Sequence, residues 1–535
     1  MYTKTNGSQT APSIREASRS RRGSRKAGAA LLTVIVGLFL ITGLTVAVLT
    51  VTTNSLHTTN IIQSEATALN NAESGAERAV LWIRGQATPP AGTTPTTFTA
   101  TDVGTPSQGT YTVTMYPDAN NPTQFLKIYT FKSVGRSGAR TKTVQLVIRQ
   151  ASFGRFAYFT DRETSSGGGA IWWNSNDLID GPVHSNNTGG SNFNIDYSGW
   201  STNNPRRPIF LDQVTASGST INYNPSRPRT ETDFNKVFLN GSNGYALGVP
   251  VVALPSSTAS QKEAAWGGTV GFPSTTGVYL RAGSNGGIYV QGDSSITMSV
   301  DGSGNQLMSV KQGSNTTVIK FDKAARSTSV TSGPVGNGSP TSAAGLSNGV
   351  IYCSGSITAL SGTIADNVVA GGAITQATAF TIATDVNSSK DITISGDLVY
   401  HTKPDKTRPA NDPVNLAAGT LGLVGQDITI ADDGTSQHNH PNRQIDAVMM
   451  AGSATVNGSI SVQNYSEGST GTLTVLGGLV QSTRGAVGTI SNGVINHGYA
   501  KSYHYDSRLA NTPPPFYPTT GQYDRMSWRV LSDKN

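Results

Sequence analysis

The sequence predicts a mainly β protein that carries one long N-terminal α-helix. Three observations lead there. Residues 29–51 are apolar or uncharged throughout. The stretch after them keeps apolar residues at three- and four-residue steps as far as Ile83. Beyond that, short apolar runs alternate with Gly, Asn, Asp and Ser, and no sustained helical period interrupts them. Sixty glycines and a charged fraction of 13% suit turn-rich β structure. Val, Ile, Leu, Tyr and Trp recur at short intervals, which sets the chain apart from disordered compositions.

Residues 1–28 read as a basic leader. Lys4, Arg15, Arg19, Arg21, Arg22, Arg25 and Lys26 against Glu16 hold +6 of the formal +7. The remainder is nearly neutral. The basic balance therefore points to a cytoplasmic segment under the positive-inside rule, and no nucleic-acid partner is expected. Residues 29–51 would span about 34 Å as a helix, enough for a bilayer core. A secretory signal has a shorter apolar core ending on small residues. Here the run is long, and "LTVTTNSL" offers no such site.

Ile62, Ala66, Leu69, Ala76, Val80 and Ile83 extend the run as an amphipathic helix that Gly85 closes. Residues 29–84 thus form one helix on the order of 80 Å long, with 29–51 as its transmembrane part. "RKAG" at 25–28 and "NNAESGAERA" at 70–79 flank this helix. A basic leader, a glycine, an apolar half-helix and an amphipathic half-helix resemble the N-terminus of type IV pilin-like proteins. The Ala-Glu-x-Gly motif brings it closest to the PilX/GspK group of minor pilins. The resemblance implies a prepilin-peptidase site at Gly28 and Ala29, and an assembly helix marked by Thr33, Glu73, Gly75 and Glu77. It departs from most pilins at Ala29, where they have Phe, and at Thr33, where they have Glu. The implied partners are other pilins and minor pilins, the inner-membrane assembly platform and the prepilin peptidase. The implied location is the inner membrane in a single pass, N-terminus cytoplasmic and head beyond it, on a cell-surface pilus.

Residues 85–109 are a Pro/Thr/Gly linker. Within 110–150, "TYTVTMYP", "FLKIYTFKSVG" and "TKTVQLVIRQ" alternate with period two, an antiparallel meander with one apolar face. A long helix needs such a cover for its exposed stripe. Residues 151–498 form a β-rich head, best read as a parallel β-helix or solenoid. A β-sandwich or jelly roll suits the same runs. "AYFTDRE", "IWW", "DGPVHSN" and the later "GYAKSYHYDSRLANTPPPFYP" resemble an uncharacterised bacterial domain with no assigned activity. Residues 499–535, with Tyr499, Tyr503, Tyr505, Phe516, Tyr517, Tyr523 and Trp528, read as an aromatic and Pro-rich cap over an open end of the stack. A surface glycan is the partner such rings would suit.

Catalytic motifs are missing. There is no P-loop, G-x-S-x-G elbow, H-E-x-x-H or CxxC. "DGSGN" at 301–305 reads as a hairpin turn. Asp432, Asp433, His438 and His440 offer oxygen and imidazole ligands to a metal, with both rings on one side if the segment is extended. A solvated loop explains the same residues. Asp177, Asp180 and His184 could be read as a hydrolase cluster, or as turn residues capping backbone amides. Cys353, the single cysteine, reads as a buried apolar residue on a strand. No cofactor is expected. The resulting expectation is a structural fibre subunit and not an enzyme. The rivals are a membrane-tethered carbohydrate-active enzyme and an adhesin outside any fibre.

Overall fold

The structure, a computed structural model, describes residues 24–532 apart from 87–88, 99, 105–106, 120–124, 166, 175–176, 191, 198–199, 202–203, 206, 227–235, 282–284 and 492–493. Most of the expected leader lies outside the described residues. The chain is mostly β with one long N-terminal helix, as composition and periodicity predict.

The helix is continuous from Ser24 to Arg84. It starts before the expected residue 29, because nothing in "SRKAG" breaks a helix once the apolar run propagates it. Its second half packs on an antiparallel sheet of Thr110–Pro117, Ile128–Ser137 and Arg140–Ser152. Ala72, Ala76, Val80 and Ile83 pack against Val113, Met115, Phe131, Val144, Leu146 and Ile148. The expected linker contributes two short strands, Thr96–Thr97 and Thr101–Asp102, both paired to Thr110–Pro117.

A further strand of this sheet comes from the far end of the chain. Thr519–Leu531 pairs antiparallel with Arg140–Ser152. The expected cap over 499–535 is therefore corrected. Tyr499, Tyr503 and Tyr505 belong to the strand Val494–Tyr505 inside the head, Phe516 and Tyr517 lie along its flank, and Tyr523 joins the helix–sheet core. Alternation in 519–531 is faint because this edge strand is exposed along most of its second half.

The head is a stack of parallel rungs. One apolar ladder runs Ile288, Ile351, Ile382, Leu423, Met449, Leu479, Tyr158, Val183, Val214, Tyr245, each residue opposite the next. A second runs Ile357, Ile392, Ile428, Ile460. A third runs Leu398, Ile445, Val475, Tyr503, Ile179, Phe210. Parallel strands cannot be joined by tight turns, so each rung needs the Gly- and Asn-rich connections seen in the sequence.

Spatial order differs from chain order. The chain enters at Tyr158–Arg162, beside Thr470–Thr483, and stacks outward through Val183–Ser185, Val214–Ala216 and Tyr245–Leu247. It then crosses to the opposite end, past the helix Ala259–Trp266, and restarts at Ile288–Gln291. From there it stacks back until Thr470–Thr483 meets the entry rung. Entry and exit thus lie side by side in mid-stack, and Phe153 N donates to Pro518 O at 3.0 Å. That proximity returns the terminal strand to the helix-bearing sheet. The segment 506–517 lies over the outer flank of the rungs. Thr381 Oγ1 donates to Pro515 O, and a Cβ on Gly422 would lie 2.6 Å from the Tyr517 ring.

Candidate functional site

The long helix changes character along its length. Its apolar part is long enough to cross a membrane, and none of it is buried in the head. Fourteen large apolar side chains from Leu31 to Val51 are exposed, among them Phe39 at 75% and Leu44 at 68%. At about 1.5–3 kcal/mol per side chain this is on the order of 20–40 kcal/mol of unfavourable hydration. No sheet contact offsets it, so this half-helix needs an apolar surrounding. Its threonines suit one: Thr42, Thr45 and Thr50 each donate to the carbonyl four residues back at 2.6–2.8 Å. That satisfies hydroxyls which lipid cannot.

Gly28 and Ala29 lie on an exposed stretch of this helix. Thr33 Oγ1 donates to Ala29 O at 2.8 Å. The hydroxyl is spent locally, and the position carries no charge.

The amphipathic half is fitted closely to the sheet. A Cβ on Gly75 would lie 2.3 Å from Ser133 Oγ and 2.9 Å from the Tyr111 ring. Across the contact, a Cβ on Gly135 would lie 2.1 Å from Ala68 O and 2.3 Å from Ala72 N. Glycine on both elements brings helix and sheet backbones together. Glu77 Oε1 and Oε2 accept from Arg525 Nη2 at 2.5 and 2.7 Å, tying the helix to the terminal strand. Asn71 Nδ2 donates to Arg136 O at 2.9 Å. Glu73 is half-buried on the same flank as Glu77. Sequence reasoning missed Arg525 and Gly135, whose roles depend on partners far away in the chain.

Of the expected metal residues, Asp432 and His438 come together. Among the described residues no three His, Cys, Asp or Glu side chains are placed to hold a metal. His438 has φ +51°, so the segment is not extended. His438 Nδ1 meets Asp432 Oδ2 at 2.8 Å. The His440 ring is buried, with Ser469 O and Gln463 O each 3.0 Å from one of its nitrogens. Burial pushes the Asp432 carboxyl up, but bonds from Asn464, the Gly434 amide and His438 outweigh it and hold it below the usual range. Asp433 Oδ1 accepts from the amides of Thr435 and Asn439, each at 3.0 Å, which organises the loop.

The residues of the rival hydrolase reading are also separately engaged. Asp177 Oδ1 meets Lys501 Nζ at 2.6 Å, and Asp180 pairs with Lys406 while accepting from Tyr505 N. His184 stacks on Phe159 at 5.3 Å and bonds Thr215 and Asn186. Burial pushes its pKa down, against the Asn186 bond. A cleft of about 930 Å³ opens beside Lys403 and Tyr505, but its carboxylates Asp405 and Asp506 are bonded to Arg408 and Arg508. At the splice between the entry rung and Thr470–Thr483, Arg484 and Glu163 form a buried ion pair at 3.1 Å. Cys353 is wholly buried, and burial pushes its thiol up to about 12.

Residues 125–218 match a domain of unknown function (DUF4900), running from the meander into the first rungs of the stack. No curated protein matches the chain. Among solved structures the chain is similar to the competence-associated pilin ComZ from Thermus thermophilus, at 14% identity over 88% of this chain and 98% of that one, with a TM-score of 0.27.

Proposed function

We propose that this chain is a minor-pilin-like structural subunit of a type IV pilus or secretion pseudopilus. It sits at the fibre tip or primes assembly, and presents its large β head for surface contact. The observation that carries this is the divided helix, clamped to a sheet along 65–83 and bare along 29–51. Such a helix serves first as a membrane anchor and then, once the basic leader is removed between Gly28 and Ala29, as a packing element in an apolar fibre core.

Thr33 supports a terminal position. A charged amine buried without a partner is costly, so a subunit inserted within the fibre benefits from bringing a carboxylate for its neighbour's amine. Thr33 brings none, and its hydroxyl is already bonded to Ala29 O. A subunit with nothing above it does not need one. The role is structural and not catalytic, in keeping with the lysine and arginine partners on the head's carboxylates. The partners are other pilins, the prepilin peptidase and the inner-membrane platform.

Mass spectrometry of the assembled chain tests the processing: an N-terminus at Ala29 is expected, and retained Lys26 would refute it. Gold-labelled antibody against the head tests the position. Label at one fibre end is expected. Label spread evenly along the shaft would refute tip placement. Undiminished fibres after deletion would remove the priming role.

A further inference from the structure

The sheet that carries the helix is wider than the helix covers. Paired residues on adjacent antiparallel strands point to the same face. Trp528 lies opposite Leu146 and Val530 opposite Val144. Leu146 and Val144 are buried under the helix, whereas Trp528 is 45% and Val530 43% exposed. The apolar core therefore continues past the helix onto an uncovered strip. The helix lies chiefly over Ile128–Ser137 and Arg140–Ser152, and touches Thr519–Leu531 least. From Ile128–Ser137 to Thr519–Leu531 is two strand spacings, about 9–10 Å. Packed helices lie about 8–10 Å apart. The strip is placed for one more helix beside the first.

The occupant's height is set by the membrane. Val530 is level with Ser133 through Val144, and Ser133 faces Gly75. Trp528 lies two residues further from the hairpin tip, about one helical turn past Gly75. At that level the outer face of the helix carries Leu81, an isolated apolar side chain 61% exposed. Copies anchored through the same apolar run stand at one height, so a neighbour's Leu81 arrives level with Trp528. Arg525 already pairs with Glu77 of its own chain beside the strip, so the surface left open there is the apolar one of Trp528 and Val530.

We propose that two copies of this chain pair side by side about a two-fold axis normal to the membrane. Leu81 of each helix seats on Trp528 and Val530 of the other. The two-fold makes the contact self-complementary and closes it at two copies, which suits a component present in low number at a fibre end. The common height rests on the anchoring reading above.

The test uses full-length chain in membranes. Trp528→Cys copies and Leu81→Cys copies, differently tagged, are co-expressed and oxidised. Neither can form the bond within one chain, and the buried Cys353 stays silent. A mixed disulfide well above that from Trp528→Cys with Val270→Cys, an exposed site on the head, is expected. Leu81→Ala, whose side chain is exposed on the helix, should weaken pairing of the otherwise native chain about tenfold, and Trp528→Phe should retain most of it. A signal no greater than the Val270 control overturns the proposal, as does a chain that stays monomeric and assigns the strip to another subunit's helix. Alkaline extraction of the chain from the membrane would instead count against the anchoring reading.

Discussion

Replacing Arg484 by Met should cost the head about 3–5 kcal/mol, the usual penalty for stranding a buried charge. The Arg484 and Glu163 side chains are 2% and 0% exposed and meet at 3.1 Å. The guanidinium also lies 3.9 Å from the centroid of the Trp173 ring. Burial alone would lower its pKa, but Tyr158 and Glu163 outweigh this and hold it above the ordinary arginine value. Without Arg484, Glu163 keeps Thr160 as a donor and loses its counter-charge. Arg484→Met with Glu163→Gln removes both charges and should recover a large part of the loss, leaving a coupling of roughly 1–3 kcal/mol. Urea unfolding followed by circular dichroism measures all four corners of the cycle. Because the pair spans the splice, hydrogen exchange should rise in Val183–Ser185 and Val214–Ala216 before Val350–Cys353. A cost below about 1 kcal/mol for Arg484→Met, or strictly additive substitutions, would refute the reasoning.

Stability should fall as pH drops below 6.5, the ordinary histidine value, because burial lowers the folded His184 pKa and the unfolded chain takes up its proton first. The slope for this one group reaches at most about 1.4 kcal/mol per pH unit and ends once the folded ring also protonates. A His184→Gln variant with the same slope would show that another group is responsible. Gly135→Ala should cost about 1–3 kcal/mol, since its Cβ meets helix backbone and no side chain that can swing away. Faster proteolysis of residues 52–84 reports the loosened helix, and an unchanged rate would contradict the close fit. Cys353 should resist thiol reagents until the head unfolds, and chelators should leave the melting temperature unchanged. A chelator-dependent drop of several degrees would point to a metal beside Asp432 and His438.

Much of the N-terminal module was legible in the sequence because its signals are local. A charge-free run of bilayer length, a three-to-four apolar period and three alternating segments each reveal themselves within a few residues. The Ala-Glu-x-Gly stretch was legible as a motif, though the reason for Gly75 appears only when Ser133 and Tyr111 lie against it. The His pair shows the opposite limit. Its spacing suggests two rings on one side of an extended segment, but the backbone at His438 is left-handed, and the His440 ring is held by Ser469 O and Gln463 O.

By itself the sequence determined that one long helix and a three-stranded meander come first, where an apolar surrounding is needed, and that the head is built of short strands. Tertiary structure alone decided how those strands are ordered. Each rung offers similar apolar residues to the rung above and the rung below, so nothing in Leu479 specifies that its neighbour is Tyr158, hundreds of residues earlier. Likewise Thr519–Leu531 carries too faint an alternation to announce an edge strand of the helix-bearing sheet. It finds Arg140–Ser152 because the stack brings entry and exit together. Pairing partners distant in the chain are selected by closure of the whole stack, a property of all the rungs at once.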